Sequence, residues 1–176
     1  MSIAMPPPAR FRDAIALLAT GVTVITTATA DGPAGMTASA VCSLSLEPVQ
    51  LLACISTALP THRALAQQGS FAVNVLGEGQ AALARRFATP GIDRFAGVQL
   101  RPGCRLPVLA DAIAHFECTV SERLPGGDHS IFIGRVTACG HDPGARPLLY
   151  FARSFGALES GERSLLQSWI DAGTVV

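Results

Sequence analysis

Lysine does not occur in this chain of 176 residues; all thirteen basic residues are arginine. That excludes Schiff-base chemistry, a P-loop lysine and any lysine general base. Asparagine occurs once, as Asn74. No run of one charge sign exists and the formal net charge is +0, so a nucleic-acid footprint is absent. No apolar run approaches the ~20 residues that span a bilayer, and no membrane segment is expected. The opening MSIAMPPPARFRD lacks the charged-then-apolar layout of a secretory signal. The expected location is therefore cytoplasmic. The five cysteines, at 42, 54, 104, 118 and 139, form no CxxC pair. Neither a zinc knuckle nor a redox dithiol is indicated; in a reducing compartment they read as small core residues.

Several catalytic templates are missing too. There is no GxSxG elbow and no HExxH, and the histidines at 62, 115, 129 and 141 share no metal-ligand spacing. No metal is expected. The GEG at 77–79 lacks the third glycine of a dinucleotide fingerprint, so a Rossmann-type site is excluded. Acidic residues are scattered and form no close pair in an apolar setting.

What is present is a 49% hydrophobic chain long enough for a single domain with a real core. RFRDAIALLATG predicts a short helix with Phe11, Ile15 and Leu18 on one face and Gly21 after its end. VTVITTAT is a β-branched strand, ADGPAG a turn, MTASAVCSLSLEP a β-like segment of small residues, and VQLLACIS a buried strand. A helix is predicted from Thr61 as N-cap to Gly69, a strand over SFAVNVL and a helix over EGQAALARRFA. Residues 89–111 read as a long loop. AIAHFECTVSERL and HSIFIGRVTAC flank PGGD and predict a β-hairpin with a short glycine-containing loop. RPLLYF adds a last strand, and the tail from Glu162 is a possible helix. At least six strands, mostly hairpin-linked and without a βαβ rhythm, predict a mainly β protein, an antiparallel barrel or sandwich.

Two segments carry candidate chemistry. GMTASAVCSLSLEP offers Thr37, Ser39, Ser43 and Ser45 with no acid until Glu47. It suits a ligand rich in acceptors and is unsuited to acid–base work; equally, it reads as a barrel wall. CISTALPTHRA places Ser56, Thr57 and Thr61 around a turn before Arg63, a pattern for a phosphate cradle or simply a capped helix start. His129 stands apart, a lone titratable group where the Gly-Gly-Asp turn meets a strand.

Taken in order, FRDAIALLATGVTVITT, DGPAGMTASAVCSLSLEPVQLLACIS, STALPTHRAL, SFAVNVLGEGQAALARRFA, GDHSIFIGRV and RPLLYFARSFGAL resemble the split-barrel flavin reductases. These are the NAD(P)H:flavin oxidoreductase components of two-component monooxygenases. The resemblance covers roughly 9–158 of a single domain over 1–176, leaving 159–176 as a tail. It implies an antiparallel split β-barrel of Greek-key type with a few short helices, assembled as a homodimer. It implies FMN, or in some members FAD, bound without covalent attachment and reduced by NADH or NADPH. Reduced flavin then diffuses to an oxygenase.

By position, Met36, Thr37, Ala38 and Ser39 would line the flavin ring. Cys54, Ile55, Ser56 and Thr57 would follow the ring and ribityl chain toward the phosphate, with Arg63 or Arg86 as the phosphate's partner. Phe155 falls in the closing motif, where a tyrosine is frequent in the family at Phe151 or Phe155. His129 would hold the nicotinamide or its phosphates at the pocket mouth, while Asp128 shapes the turn. The same fold reducing a ferric chelate or a corrinoid, or a flavin-binding protein without turnover, are the other readings.

Overall fold

A seven-residue segment, Thr23–Thr29, β-branched at every position but Ala28, forms the strand around which the rest is organised. The computed structural model describes residues 5–158. Helix α1 spans Pro8–Ile15, followed by strands β1 (Thr20–Gly21), β2 (Thr23–Thr29), β3 (Gly32–Ala38), β4 (Val41–Leu46) and β5 (Val49–Ser56). Helix α2 (Pro60–Gln68), β6 (Ser70–Val75) and a 3-10 turn (Glu78–Gln80) leading into α3 (Ala81–Ala88) come next. Strands β7 (Ala114–Gly126), β8 (His129–His141), β9 (Leu149–Phe151) and β10 (Ser154–Gly156) complete the described chain.

Seven strands pair antiparallel in the order β3-β2-β6-β7-β8-β5-β4, and β1-β9-β10 form a small second sheet. Strands β3 and β4 are the two ends of the large sheet, yet only Ser39 and Ala40 separate them in the chain. The two edges must therefore meet. At the corner, the Thr23 hydroxyl of β2 donates to the Ala38 carbonyl at 2.7 Å, and the Cys54 N–H of β5 donates to the Ala40 carbonyl at 2.9 Å. The sheet curls into a barrel that stays split at residues 39–40. The mainly β, antiparallel split-barrel expectation is borne out.

Strand β2 is buried on both faces, which is why its sequence shows no alternation. Ile25 points into the barrel with Leu51, Ala53, Ile55, Phe71, Val73, Cys118 and Phe132. Val24 points outward, into a second core with Val22, Leu76, Ala84, Phe87, Leu109 and Leu148. Buried hydroxyls need partners, and they have them. Thr26 donates to the Pro107 carbonyl at 2.7 Å and Thr27 to the Ser70 carbonyl at 2.8 Å. The chain's single asparagine, Asn74, donates to the Val24 carbonyl and Thr26 and accepts from the Leu109 N–H. These bonds pin the segment before β7 across the outer face of β2 and β6. Residues 89–111 are a loop, as expected, and they also supply a wall of the second core.

Three local expectations change. Thr61 does not cap α2: the helix starts at Pro60 after Leu59, and the Thr61 hydroxyl reaches back to the Gly35 carbonyl at 3.4 Å. Proline at the first position needs no cap bond of its own. The helix ends as expected, with Gly69 left-handed at φ 63°. The expected first helix is shorter, ending at Ile15, and Phe11 and Ile15 of α1 and Leu18 beyond it remain 58%, 46% and 61% exposed, so they join neither core. The expected 78–88 helix begins with a 3-10 turn before the α-helical part. The expected helix from Glu162 lies outside the described residues.

Candidate active site

The split corner opens into two adjoining clefts that share Thr20, Ser39, Val41 and Cys42. The first, of about 600 Å³, lies between the end of α1, the 39–42 corner, Cys54 of β5 and the β9–β10 turn. Its walls are mostly small or apolar: Ala16, Ala40, Val41, Cys42 and Leu52. Arg12 and Arg153 are its charged lining residues, and Tyr150 brings a phenol. The second, of about 590 Å³, looks into the barrel end between Leu46, Val49, Val75, Phe116 and Val136, with Ser43 and Ser45 on its rim.

The ring-lining candidates divide by face. Strand β3 alternates, so Met36 and Ala38 pack against the barrel interior, and Gly35 and Thr37 face the other way. The Thr37 hydroxyl donates to the Ala84 carbonyl of α3 at 2.6 Å. The Gly35 carbonyl accepts from Thr61 and from the Arg94 guanidinium at 2.7 Å, so it points away from β2. By the two-residue repeat of an antiparallel ladder, the Thr37 N–H points outward as well and is turned to the open edge. Ser39 is exposed and lines both clefts.

On β5, Cys54 lines the first cleft, whereas the Ile55 side chain is fully buried in the barrel core. Only the Ile55 main chain remains to face a ligand. Desolvation, and then the nearby Cys42, push the Cys54 thiol above its ordinary value, so it stays protonated at neutral pH. Ser56 ends the strand in register with His129. Thr57 donates twice to the Asp128 carbonyl, from its N–H at 3.0 Å and its hydroxyl at 3.1 Å. That clamp ties the late hairpin to the end of β5.

The hairpin itself turns on Gly127 and Asp128, with Gly127 at φ 72°. The expected tight glycine-containing turn is present, and Asp128 shapes it through its carbonyl. Its side chain does something the sequence did not announce. The carboxylate oxygen lies 2.7 Å from His129 Nδ1. That bond, followed by the charge of the imidazole, holds the Asp128 carboxyl below its usual range. With Nδ1 engaged, the opposite ring nitrogen is the one left to meet a ligand.

Neither arginine nominated for a phosphate lines the first cleft. Arg63 is exposed on α2; Arg86, on α3, donates to the Asp93 carbonyl at 3.3 Å. Phe155 packs on Tyr150 at 5.4 Å between ring centroids, with the Arg85 guanidinium 5.0 Å above its own ring. It thus buttresses a cleft residue. Sequence reasoning missed Arg12, Tyr150 and Arg153. The available signal was the pair Ala152–Arg153 between two aromatics, the length of a tight hairpin turn.

The fold and this corner agree with what known proteins show. A family model described as flavin reductase like domain matches residues 15–159. The chain belongs to the flavin reductase like family. Within it, the chain is 46% identical over 150 residues to the "Flavin reductase (NADH)" of Kitasatospora aureofaciens, covering 82% of this chain and 78% of the relative. It is 42% identical over 148 residues to the reductase component of a 4-nitrophenol 4-monooxygenase/4-nitrocatechol 2-monooxygenase from Rhodococcus opacus, covering 84% and 80%. Among solved structures, the Streptomyces globisporus NADH:FAD oxidoreductase SgcE6, in complex with NAD and FAD fragments, superposes with a TM-score of 0.84 at 33% identity, covering 92% of this chain and 99% of that one. The flavin reductase fold thus accounts for the whole described barrel and for its split corner.

Proposed function

We propose that this protein is an NAD(P)H-dependent flavin reductase that reduces FMN or FAD by hydride transfer and releases it to a partner monooxygenase. One observation carries the reading: a cleft at the barrel's split whose walls are mostly small or apolar, with Arg12 and Arg153 as its charged lining. Its volume, about 600 Å³, is that of a small-molecule site. No carboxylate and no lysine enters it, so it suits a planar ring with an anionic tail and not acid–base hydrolysis. Flavin, when bound, supplies the hydride acceptor; that chemistry belongs to the cofactor.

The protein's part is placement. Of the ring-site candidates, Ser39 and Cys54 line the cleft directly. Met36 and Ala38 pack on the barrel core and Thr37 on α3, so they serve the ring through the β3 main chain, as Ile55 does from β5. Ser56 and Thr57 continue beyond Cys54 toward the hairpin. His129, oriented by Asp128, meets the nicotinamide co-substrate from the hairpin. Phe155 supports the site through Tyr150. Arg63 and Arg86 stand outside the cleft and serve, at most, the far end of a long ligand. The relatives' names support this reading: a mycobacterial monooxygenase reductase subunit, HsaB, and a styrene monooxygenase flavin reductase are among the matches.

The protein acts as a homodimer in this reading. Leu44, Leu46 and Val49, on the β4–β5 hairpin at the second cleft, are 45%, 63% and 51% exposed, and Leu17 and Leu18 add to the apolar surface. A second copy of the chain covers it. Among the described residues no helix is long and apolar enough to cross a membrane, and all five cysteines are free, which suits the reducing cytoplasm.

The test mixes purified protein, NADH or NADPH, and FMN or FAD, and follows the nicotinamide absorbance band. Oxidation well above the protein-free blank is expected. No oxidation with any of the four combinations overturns the enzyme reading. A monomeric mass by light scattering overturns the dimer alone.

A further inference from the structure

The turn between β9 and β10 consists of Ala152 and Arg153, both left-handed at φ 48° and 63°. A two-residue hairpin of this kind favours Asn-Gly, because side chains with a Cβ resist positive φ. Here an alanine and an arginine hold that conformation. Such strain persists only where surroundings enforce it, and it collects at functional sites. The surroundings are visible. The Ala152 N–H donates to the Ala16 carbonyl at 2.7 Å. The Arg153 guanidinium pairs with Asp13 of α1. Tyr150 and Phe155 stack behind the turn. The outcome is an arginine fixed at the rim of the first cleft, which Arg12 also lines; Asp13 pairs with Arg153, and no acidic residue among those described lines the cleft.

We propose that Arg153, seconded by Arg12, supplies the positive potential that favours reduced over oxidised flavin in this cleft; the proposal rests on the flavin reductase reading. Hydride leaves the dihydronicotinamide carbon with its bonding pair, and an N–H bond forms on the flavin ring. The nicotinamide becomes a cation, and the ring gains two electrons, one proton and one negative charge. A fixed guanidinium acts on that new charge and leaves the neutral oxidised ring nearly untouched. Because the arginine side chain is 61% exposed, solvent moderates the effect.

The experiment measures the dissociation constants of oxidised FMN, by fluorescence quenching in air, and of reduced FMN, anaerobically after dithionite. Wild type, Arg153→Gln, Arg153→Gly, Arg153→Lys and Arg12→Gln are compared. In Arg153→Gln the ratio of reduced to oxidised constants should rise about tenfold, a shift of about 30 mV downward in the two-electron potential of bound flavin. Arg153→Gly relaxes the turn and should match Arg153→Gln, Arg153→Lys should retain most of the wild-type ratio, and Arg12→Gln should show a smaller rise. If wild type binds FMN but the ratio is unchanged in Arg153→Gln and Arg12→Gln, this proposal falls alone. If wild type binds neither form, the flavin reductase reading falls and this one with it.

Discussion

Replacing His129 with alanine tests the nicotinamide side of the site most directly. The imidazole sits at the start of β8, in register with Ser56, with 44% of its side chain exposed and Nδ1 engaged by Asp128. It is buried in neither core, so its loss should leave the fold and the flavin side alone. On the proposed reading, what is lost is one hydrogen bond from the ring nitrogen opposite Nδ1 to the co-substrate, worth about 1 kcal/mol. At 1.4 kcal/mol per tenfold, KM for the nicotinamide should rise about fivefold, with kcat falling less. Asp128→Ala should give a smaller rise in the same KM, because the ring remains but is free to turn. The assay is initial-rate nicotinamide oxidation at saturating FMN, with FMN affinity and Tm measured in parallel. Unchanged KM and kcat in His129→Ala would return the residue to a hairpin-end surface role. Equal losses in FMN affinity would show that the two cofactors do not divide the site as described.

Ser39→Trp places an indole in the corner shared by both clefts; the variant should keep wild-type far-UV circular dichroism and lose FMN binding, and unaltered FMN affinity would put the ring elsewhere. Gly134→Ala introduces a Cβ 2.7 Å from Phe71 Cζ and 2.8 Å from Cys118 Cβ, and overpacking of this kind costs about 1–3 kcal/mol, read from the denaturation midpoint in urea. Burial chiefly, with Arg123 near His62 and Arg101 near His115, holds both imidazoles below their ordinary value, partly countered by Glu117 at His115. The unfolded chain then binds more protons than the folded one below about pH 6.5, so stability is full above that value and declines as pH falls through it. Melts from pH 8 to pH 5 should show Tm declining from about 6.5 downward; a flat Tm to pH 5 would contradict it.

The hairpin of β7 and β8 was legible because one sheet face repeats every second residue and the turn demands glycine. Gly127 sits at the positive φ that the Gly-Gly-Asp signal required. The β-branched run of β2 was legible as a strand, but not the use of its threonines. Hydroxyl-rich strands suggest ligand contact; here Thr26 and Asn74 bind the 101–111 segment instead. Partners so distant in the chain cannot be read from local pattern. Glu117 is a parallel case: buried, it accepts the Arg105 and Leu106 N–H groups at 2.8 and 2.9 Å, partners twelve and eleven residues away that strand alternation does not announce. For α1, periodicity placed Phe11 and Ile15 on one side, ran the helix past its end at Ile15 to Leu18, and could not say what covers them.

The candidate site follows the same logic one level up. Its position is a consequence of closure: a sheet whose end strands are consecutive must bring them together, and a two-residue link leaves no side chain large enough to fill the gap. Small residues at 39–42 suit both the sharp corner and the flat ligand proposed for the cleft, and composition could not separate the two demands. The charged rim escaped notice for a different reason. Arg12 and Arg153 meet at one mouth only because β9 pairs with β1 just after α1. That pairing involves two residues of β1, too short for any sequence signal, and it decides which charges the cleft contains. The phosphate arginines nominated from order along the chain, Arg63 and Arg86, lie on α2 and α3 and neither lines the cleft, whereas Arg153 reaches it because its turn is bonded through the Ala152 N–H to Ala16.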